Sequence, residues 1–308
     1  MASLMDLCAL QANAPAPRPY KTDAAYQTAI RQATALIDRA DAVVVGIGSG
    51  MSTACGYDFY QRTDAFDGQF ARFERAHGIA SLMDGFYHAY ATNEERWAFL
   101  AACITRLEDC PVGRTYRTLR DLLEDKPYTV LTTNVDGQAR RAFPAERTWL
   151  FQGDFGFLQC AQPCCEDLAD ALPAMRAIGA ALGADGTAAP SELLPRCPAC
   201  GWLQVPWVRD DGFVEGGLWQ DGKRRYERFV ADALETADRV LFLELGVGGM
   251  TPSIIEIPFW RMVAGNPNAR YLRINKGKAG EPRQIADRSL TVTADLDDAL
   301  ARIAEERN

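Results

Sequence analysis

The sequence lacks long hydrophobic runs and an excess of basic residues. Its strongest apolar stretches, 42–47 and 240–245, are much shorter than the roughly 20 residues that a membrane-spanning helix needs. The net charge of -8 comes without a basic cluster, so we expect neither membrane insertion nor nucleic-acid binding. No basic residue precedes an apolar run in segment 1–11, which argues against a secretory signal and predicts a cytoplasmic protein.

Histidine is also scarce, whereas cysteine is not. The only two histidines are His77 and His88, and the nine cysteines are an odd number in a chain of 308 residues. A chain of this length needs no disulfide framework, so the cysteines fit reduced thiols or a metal site better. The hydrophobic content of 48% and the charged content of 24% are typical of a compact folded chain.

Short apolar runs alternate with amphipathic helical patterns along most of the chain. Beyond the run 42–47, strands are predicted at 128–132, 148–151, 240–245, 271–274 and 290–293. A continuous apolar run is typical of a parallel strand that is covered on both faces. The alternation therefore predicts an α/β fold with a doubly wound, Rossmann-like parallel sheet.

Two stretches interrupt this alternation. Segment 64–110 is helical and aromatic, which fits a helical layer with an aromatic core somewhat better than a lid. The second stretch is bounded by cysteines and looks like a small inserted module. We expect an N-terminal tail over 1–22, a Rossmann-like domain over 23–151 and 202–308 that carries the helical insert at about 64–110, and a zinc-binding module over 152–201.

Four cysteines have the spacing of a zinc site. Cys160, followed by Cys164 or Cys165, pairs with Cys197 and Cys200. Four thiolates form a closed tetrahedral site with no position for water, so the metal is expected to be structural. The spacing alone leaves both Cys164 and Cys165 open, and we favour Cys164. The alternative is a set of reduced thiols without metal.

Glycines and polar residues follow the predicted strands. The first strand leads into a loop with Gly46, Gly48 and Gly50, where backbone N–H groups could hold a pyrophosphate. Met51 stands at the third glycine position of an ordinary dehydrogenase fingerprint, so this motif alone fits a tight turn better. Asn134 and Asp136 follow a later strand, where they could face a ligand crevice or serve as turn and capping residues.

Taken in order, these motifs resemble the sirtuin family over nearly the whole chain. Segments 48–52 and 56–60 are similar to the family's G-A-G-x-S loop and G-I-P-D-F-R segment, and 132–137 is similar to its T-Q-N-I-D-G motif. Gln152 and Gly153 stand where the family has H-G ahead of the first zinc cysteine. Segment 246–248 resembles the G-T-S loop, and Asn275 resembles a late asparagine of the same pocket.

The resemblance implies a site for NAD as co-substrate. The residues it places there are Gly48, Ser49, Gly50, Ser52, Asp58, Phe59, Tyr60, Thr132, Asn134, Asp136, Gln152, Gly246, Val247, Gly248 and Asn275. Among them Asn134, Asp136 and Gln152 are the catalytic candidates. Asp136 is expected to hold the nicotinamide carboxamide and Asn134 to lie near the ribose.

Three departures from the family pattern bear on the reaction. The proline between Tyr57 and Asp58 is missing, the arginine is Tyr60, and the catalytic histidine is Gln152. An amide does not titrate and orients other groups only through hydrogen bonds. The combination resembles the macrodomain-associated microbial sirtuins, in which glutamine replaces histidine. That class implies ADP-ribosylation of a protein acceptor, in some members a lipoylated carrier protein, and a macrodomain hydrolase that removes the mark.

Three other functions stay open at the level of the sequence. A protein deacylase would need an unexpected base such as Asp154 to activate a ribose hydroxyl. An NADase would hydrolyse NAD without a protein acceptor. An adaptor would bind NAD or zinc without turnover.

Overall fold

The computed structural model describes residues 20–57, 59, 64–183, 186–249, 252–277 and 280–307. Its helices are α1 (Asp23–Arg39), α2 (Gly50–Thr53), α3 (Asp64–His77), α4 (Leu82–Tyr87), α5 (Asn93–Asp109), α6 (Arg114–Leu122), α7 (Gln138–Ala142), α8 (Leu172–Leu182), α9 (Gly217–Thr236), α10 (Glu256–Gly265) and α11 (Leu296–Arg307). Its strands are β1 (Ala42–Ile47), β2 (Tyr128–Thr132), β3 (Thr148–Leu150), β4 (Gly153–Cys160), β5 (Ala169–Asp170), β6 (Gln204–Val208), β7 (Val240–Leu245), β8 (Ala269–Ile274) and β9 (Ser289–Val292).

Six strands form one parallel sheet in the order β3-β2-β1-β7-β8-β9. The strand order changes direction at the β1/β7 pair, where the chain has crossed from one half of the sheet to the other. Open α/β sheets bind ligands outside the carboxyl ends of the strands at such a point. The doubly wound parallel sheet predicted from the sequence is confirmed, with strand ends that differ by one or two residues.

The sheet is buried on both faces. Alternate residues of β1 point in opposite directions, and all six are buried. Val43, Val45 and Ile47 join the core formed with α1, α6, α7 and α11, while Ala42 and Val44 join the core formed with α9 and α10. The continuous apolar strands of the sequence are therefore explained by two layers of covering helices.

Helix α1 shows how the local sequence sets where a covering helix begins and which face it buries. Thr22 adopts an extended backbone conformation, and its hydroxyl accepts a hydrogen bond from the Ala25 N–H at 3.2 Å. Ile30, Ala33 and Ile37 then recur at helical spacing and are fully buried against the sheet. The cap and the apolar stripe together place α1 beside the first strand.

A second, smaller unit lies outside the sheet, and we call it the small unit. It consists of helices α3, α4, α5 and α8 with a three-stranded antiparallel sheet in the order β5-β4-β6. Phe70 and Phe99 from the helical insert share one buried core with Phe155 and Met175 from the cysteine-bounded segment. The two interruptions of the sequence pattern thus form one packed body. Their aromatic side chains are its core, which fits a helical layer.

The boundary predicted for the module at residue 201 falls inside this small sheet. Strand β6 begins at Gln204 and pairs antiparallel with β4 through Val208. The reason is that β4 needs a partner on each side, and the second partner comes after the last cysteine. Of the predicted tail, 1–19 lies outside the described residues. None of the described helices has the length and apolar character that a membrane crossing requires.

Candidate active site

A cluster of four polar side chains lies at the carboxyl ends of β1 and β2. The Asn134 amide nitrogen donates to the Gly48 carbonyl at 3.0 Å, and it lies 3.1 Å from Ser52 Oγ and 2.9 Å from the Tyr116 hydroxyl. The Ser52 hydroxyl donates to the Asp136 carboxylate. Since Asn134, Asp136 and Ser52 are 8%, 2% and 1% exposed, the cluster is nearly sealed from bulk solvent.

Burial outweighs the hydrogen bonds that Asp136 accepts. Burial raises the pKa of Asp136, whereas the hydrogen bonds from the Ser52 hydroxyl and from the Gln138 N–H at 2.9 Å act in the opposite direction. Such a carboxylate gains from any further N–H donor that reaches it, because a hydrogen bond to the charged form favours that form. The amide of a bound molecule would supply this donor.

The glycine loop packs against the loop that follows β7. Gly48 N–H donates to the Leu245 carbonyl and Gly50 N–H donates to the Gly246 carbonyl, both at 2.9 Å. A Cβ on Gly48 would lie 2.6 Å from Val247 Cα, and one on Gly50 would lie 2.8 Å from Gly246 Cα. These glycines are needed for the close approach of two backbones, which is the tight-turn interpretation of the motif.

Asn275 holds the neighbouring loop. Its amide nitrogen donates to the Val247 carbonyl at 3.0 Å, and its amide oxygen accepts from the Gly277 N–H at 2.9 Å. Thr132, at the end of β2, is fully buried, and its hydroxyl accepts a hydrogen bond from the Asn134 N–H at 3.0 Å. Both residues therefore shape the loops around the site from behind.

A cavity of about 360 Å³ opens between the sheet and the small unit. Of the residues predicted for the site, it is lined by Ser49, Ser52, Phe59, Asn134, Asp136, Gln152 and Gly248. Thr132, Gly246, Val247 and Asn275 are buried behind this wall, and Asp58 and Tyr60 lie outside the described residues. The opposite wall is apolar and comes from the small unit, with Leu82, Met83, Phe86 and Phe155.

Gln152 lies at the junction of the two walls. The backbone carbonyl of Gln152 accepts a hydrogen bond from the backbone N–H of Arg209 at 3.0 Å, and both residues line the cavity. The Arg209 guanidinium donates to the Phe151 carbonyl and stacks 4.3 Å from the centre of the Phe213 ring. The guanidinium also pairs with Glu215 at 2.8 Å, so the contact between Gln152 and Arg209 is one of backbone to backbone.

Neither histidine of the chain is among the residues that line this cavity. Within the described chain, His77 and His88 pack against each other with ring centroids 5.6 Å apart, and both pack on Tyr90 in the small unit. An imidazole is the usual group for proton transfer near neutral pH. The cavity wall described here therefore offers an amide at position 152 and no imidazole.

Asp154 takes part in a separate ionic bridge. One of its oxygens accepts from Arg140 Nε at 3.0 Å and from the Gly156 N–H at 2.8 Å, and the Arg140 guanidinium also pairs with Glu108. Burial is the largest influence on this carboxyl and raises the pKa of Asp154 to about 6. The bridge joins β4, α7 and α5. Asp154 does not belong to the described cavity lining.

Tyr116 and Arg209 are site residues that the sequence did not reveal. Tyr116 lies on α6 in an apolar pattern typical of a core position, and the contacts of its hydroxyl with Ser52 and Asn134, both at 2.9 Å, show a second role. Arg209 follows β6, beyond the cysteines that bound the module. No local sequence pattern marks Arg209 as a site residue.

Four cysteine sulfurs meet at the tip of the small unit. The Sγ atoms of Cys160, Cys164, Cys197 and Cys200 all lie within 4.8 Å of one another. Four thiolates about 2.3 Å from a tetrahedral zinc ion are separated by similar distances, so the donor set fits structural zinc. Cys165 does not belong to this set, although its sulfur is 4.0 Å from that of Cys197.

Two relatives of the chain are named for ADP-ribose chemistry. A "Protein ADP-ribosyltransferase" of Staphylococcus aureus strain Mu50 is 33% identical over 268 residues, which cover 84% of this chain and 82% of that protein. A "Probable bifunctional ADP-ribose hydrolase/ADP-ribosyltransferase" of Fusarium oxysporum f. sp. cubense is 27% identical over 87% of this chain and 46% of that protein. No protein-family model matches the chain.

The fold is similar to that of solved sirtuin structures. A complex of a Sir2 homologue with NAD has a TM-score of 0.59 at 18% identity, and the match covers 90% of this chain and 93% of that chain. A Sir2 structure with an acetylated peptide has a TM-score of 0.57 at 19% identity, covering 90% and 98%. These two matches show that the chain, with its sheet and its small unit, has the same fold as these solved structures.

Proposed function

The chain belongs to the family of protein ADP-ribosyltransferases that the Staphylococcus aureus relative represents, and we propose that it transfers ADP-ribose from NAD to a protein acceptor on a sirtuin fold. The observation that carries transfer, in preference to deacylation, is the amide of Gln152 at the cavity wall. Deacylation needs a base for a ribose hydroxyl, and an amide cannot act as one. Transfer of ADP-ribose to an external nucleophile does not require residue 152 to be a base for the ribose hydroxyl.

Asp136 and Asn134 are proposed to act at the nicotinamide end. NAD supplies a glycosidic bond whose cleavage develops positive charge on the ribose carbon. The Asp136 carboxylate accepts the N–H of the carboxamide, and Ser52 keeps that carboxylate oriented. Asn134 is held by Gly48 and Tyr116 in a fixed orientation, so its amide dipole needs no reorganisation near the ribose.

The remaining cofactor assignments follow the two crossing loops. Gly48, Ser49, Gly50 and Ser52 are proposed to surround the pyrophosphate. The N–H groups of Gly48 and Gly50 already donate to the Leu245 and Gly246 carbonyls, so the Ser49 hydroxyl, which lines the cavity, is the proposed donor. A further set is proposed for the rest of the nucleotide on the basis of the sequence motifs: Asp58, Phe59, Tyr60, Thr132, Gly246, Val247, Gly248 and Asn275. The rings of Phe59 and Phe86 line the cavity, and an aromatic ring of NAD is proposed to pack against them.

The Cys160, Cys164, Cys197 and Cys200 cluster is proposed to hold zinc in a structural role. Its four thiolates leave no position for a water or substrate. The metal would fix the end of β4 against the segment that leads into β6, and through β4 it would fix the wall that carries Phe155.

The acceptor is proposed to be a protein, with a lipoylated carrier protein as the candidate that the class with glutamine at this position suggests. A macrodomain hydrolase is the proposed partner for removal of the mark. The Fusarium relative supports the pairing of the two activities, because its name joins an ADP-ribose hydrolase to a transferase. Asp154, the base that a deacylase would need, does not belong to the described cavity lining, which disfavours that alternative.

The test separates three products. The protein is incubated with NAD labelled in the adenosine half and with a cell extract, and nicotinamide release, protein-bound label and deacetylation of an acetyl-lysine peptide are followed in parallel. We expect protein-bound label, and we expect Gln152→Ala to reduce it on the order of tenfold to a thousandfold because hydrogen bonds in the transition state are lost. Gln32→Ala, on the exposed face of α1, is the matched control and should retain full activity.

The outcomes distinguish the rival functions. Nicotinamide release without protein label would indicate an NADase. Rapid deacetylation without label would overturn the transferase assignment. If Gln152→Ala then left deacetylation unaffected, the base would be another group such as Asp154.

A further inference from the structure

A second buried polar cluster lies on the other half of the sheet, away from the cavity. It consists of Glu244 on β7, Arg273 and Tyr271 on β8, and Glu256 at the start of α10, and Glu244, Arg273 and Glu256 are 0%, 1% and 2% exposed. We refer to it as the Arg273 cluster. Two carboxylates face one guanidinium, and the Tyr271 hydroxyl donates to Glu244. Sealing three charges in a core is expensive compared with apolar packing, so the cluster calls for a role beyond stability.

Each nitrogen of the Arg273 guanidinium bonds a different part of the chain. Nε donates to Glu244 at 3.0 Å, one terminal nitrogen donates to Glu256 at 2.7 Å, and the other donates to the Gly280 carbonyl at 2.8 Å. These partners belong to β7, to the first turn of α10 and to the connection after β8. The planar guanidinium fixes all three directions at once, which an ammonium group cannot do.

The connections that Arg273 joins are the ones that bear the proposed nucleotide residues. Glu244 is two residues before Gly246, and Glu256 begins the helix that ends the loop after β7. Asn275 lies between Arg273 and Gly280, and its own amide reaches across to the Val247 carbonyl. The Arg273 guanidinium therefore bonds both connections, and the Asn275 amide forms a second link between them.

We propose that Arg273 is a positioning residue that preforms the binding surface for the adenosine half of the dinucleotide. The proposal rests on the proposed use of NAD, and it adds a residue that touches no part of the nucleotide itself. Arg273 sets the distance between the loop after β7 and the loop after β8. Loss of the guanidinium would let the two loops separate, so the nucleotide would have to order them on binding.

The experiment compares Arg273→Met with Arg288→Met. Arg288 is a matched control because its guanidinium donates to the Val263 and Asn266 carbonyls at the end of α10, whereas Arg273 bonds Glu256 in the first turn of that helix. ADP-ribose binding is measured by calorimetry, which requires no transfer activity, and transfer is measured as KM for NAD and kcat. Unfolding midpoints are recorded for all variants.

For Arg273→Met we expect ADP-ribose binding to weaken and KM for NAD to rise, each on the order of tenfold or more, with kcat within about threefold. Arg288→Met should lower the unfolding midpoint and leave both constants unchanged. Arg273→Lys should restore part of the affinity, since it returns the charge without the fork. Unchanged ADP-ribose affinity in folded Arg273→Met, or an equal loss in Arg288→Met, would overturn the proposal.

A second variant covers the case in which Arg273→Met does not fold. Combining Glu244→Met, Glu256→Gln and Arg273→Met removes all three charges, which avoids an unpaired buried carboxylate. This variant should fold and still bind ADP-ribose weakly. If the unmodified protein binds ADP-ribose but transfers nothing, the proposed function fails, while the calorimetric comparison still decides the role of Arg273.

Discussion

The six-stranded sheet and the small unit are stabilised in different ways. The sheet has helices on both faces, and its strands β1, β2 and β7 are buried from end to end. The small unit has one core, a sheet of three strands of which β5 has two residues, and four cysteines at its tip. Small bodies with a single core commonly gain stability from a structural metal. The cavity lies between the two, so its walls should respond differently to the loss of metal and to changes in the sheet.

The largest expected effect concerns the metal. Zinc removal or Cys197→Ser should unfold the small unit, because structural zinc binding contributes on the order of 10 kcal/mol to small metal domains. Hydrogen exchange should show loss of protection in 153–208 and retained protection in β1 and β7. The matched control is Cys165→Ser, which lies outside the set of four and should keep one zinc per chain by elemental analysis. Equal metal content in both variants would contradict the assignment.

The second effect concerns the sheet side of the cavity. Asn134→Ala should lower the rate of transfer on the order of a hundredfold to a thousandfold, because a fixed dipole near the developing charge is lost. Stability should fall by only about 1–2 kcal/mol. Asn268→Ala is the matched control, since it loses hydrogen bonds to the Leu234 and Ala237 carbonyls outside the cavity. It should lose similar stability in denaturant unfolding and keep its activity.

The third effect concerns Asp154, which joins the two bodies through Arg140. Burial raises the pKa of Asp154 to about 6 in the folded protein, above its ordinary value, so the folded state keeps this proton to higher pH than the unfolded state. Stability from this group is therefore greatest below about pH 4 and declines as pH rises toward 6, by about 3 kcal/mol in total. Asp154→Asn removes the titration.

Unfolding curves between pH 4 and 7.5 check this prediction. The free energy of unfolding of Asp154→Asn relative to the unmodified protein should rise across that interval. Asp232→Asn, on the exposed face of α9, should show no such change. A difference between Asp154→Asn and the unmodified protein that stays constant with pH would show that Asp154 is ionised throughout.

The smallest effect compares one glycine from each body. In the small unit, a Cβ on Gly179 of α8 would meet no atom within 4 Å, so Gly179→Ala should stabilise by about 0.5–1 kcal/mol. In the sheet domain, a Cβ on Gly48 would lie 2.7 Å from the Gly246 carbonyl oxygen, so Gly48→Ala should destabilise. Thermal unfolding of both variants gives the sign directly. Stabilisation by Gly48→Ala would mean that the two loops approach less closely than described.

The sequence was sufficient for the features that depend on local patterns. Apolar runs identified the six parallel strands, and cysteine spacing identified the residues Cys160, Cys197 and Cys200. Local patterns could not show that Phe99 and Met175 share a core, because this contact joins segments far apart in the chain. They also missed Tyr116, whose ring belongs to the core while its hydroxyl reaches the polar cluster.

The described chain between β3 and β7 forms part of one wall of the cavity but contributes no strand to the parallel sheet. β3 lies at one edge of the sheet and β7 pairs with β1 in its interior, and the segment that carries β4, β5 and β6 is spanned between them. Substitutions in 153–209 therefore alter one cavity wall without changing the register of any parallel strand. A library that varies this segment but keeps its four clustered cysteines would reshape that wall while β1 and β2, whose ends carry the Asn134 cluster, keep their pairing.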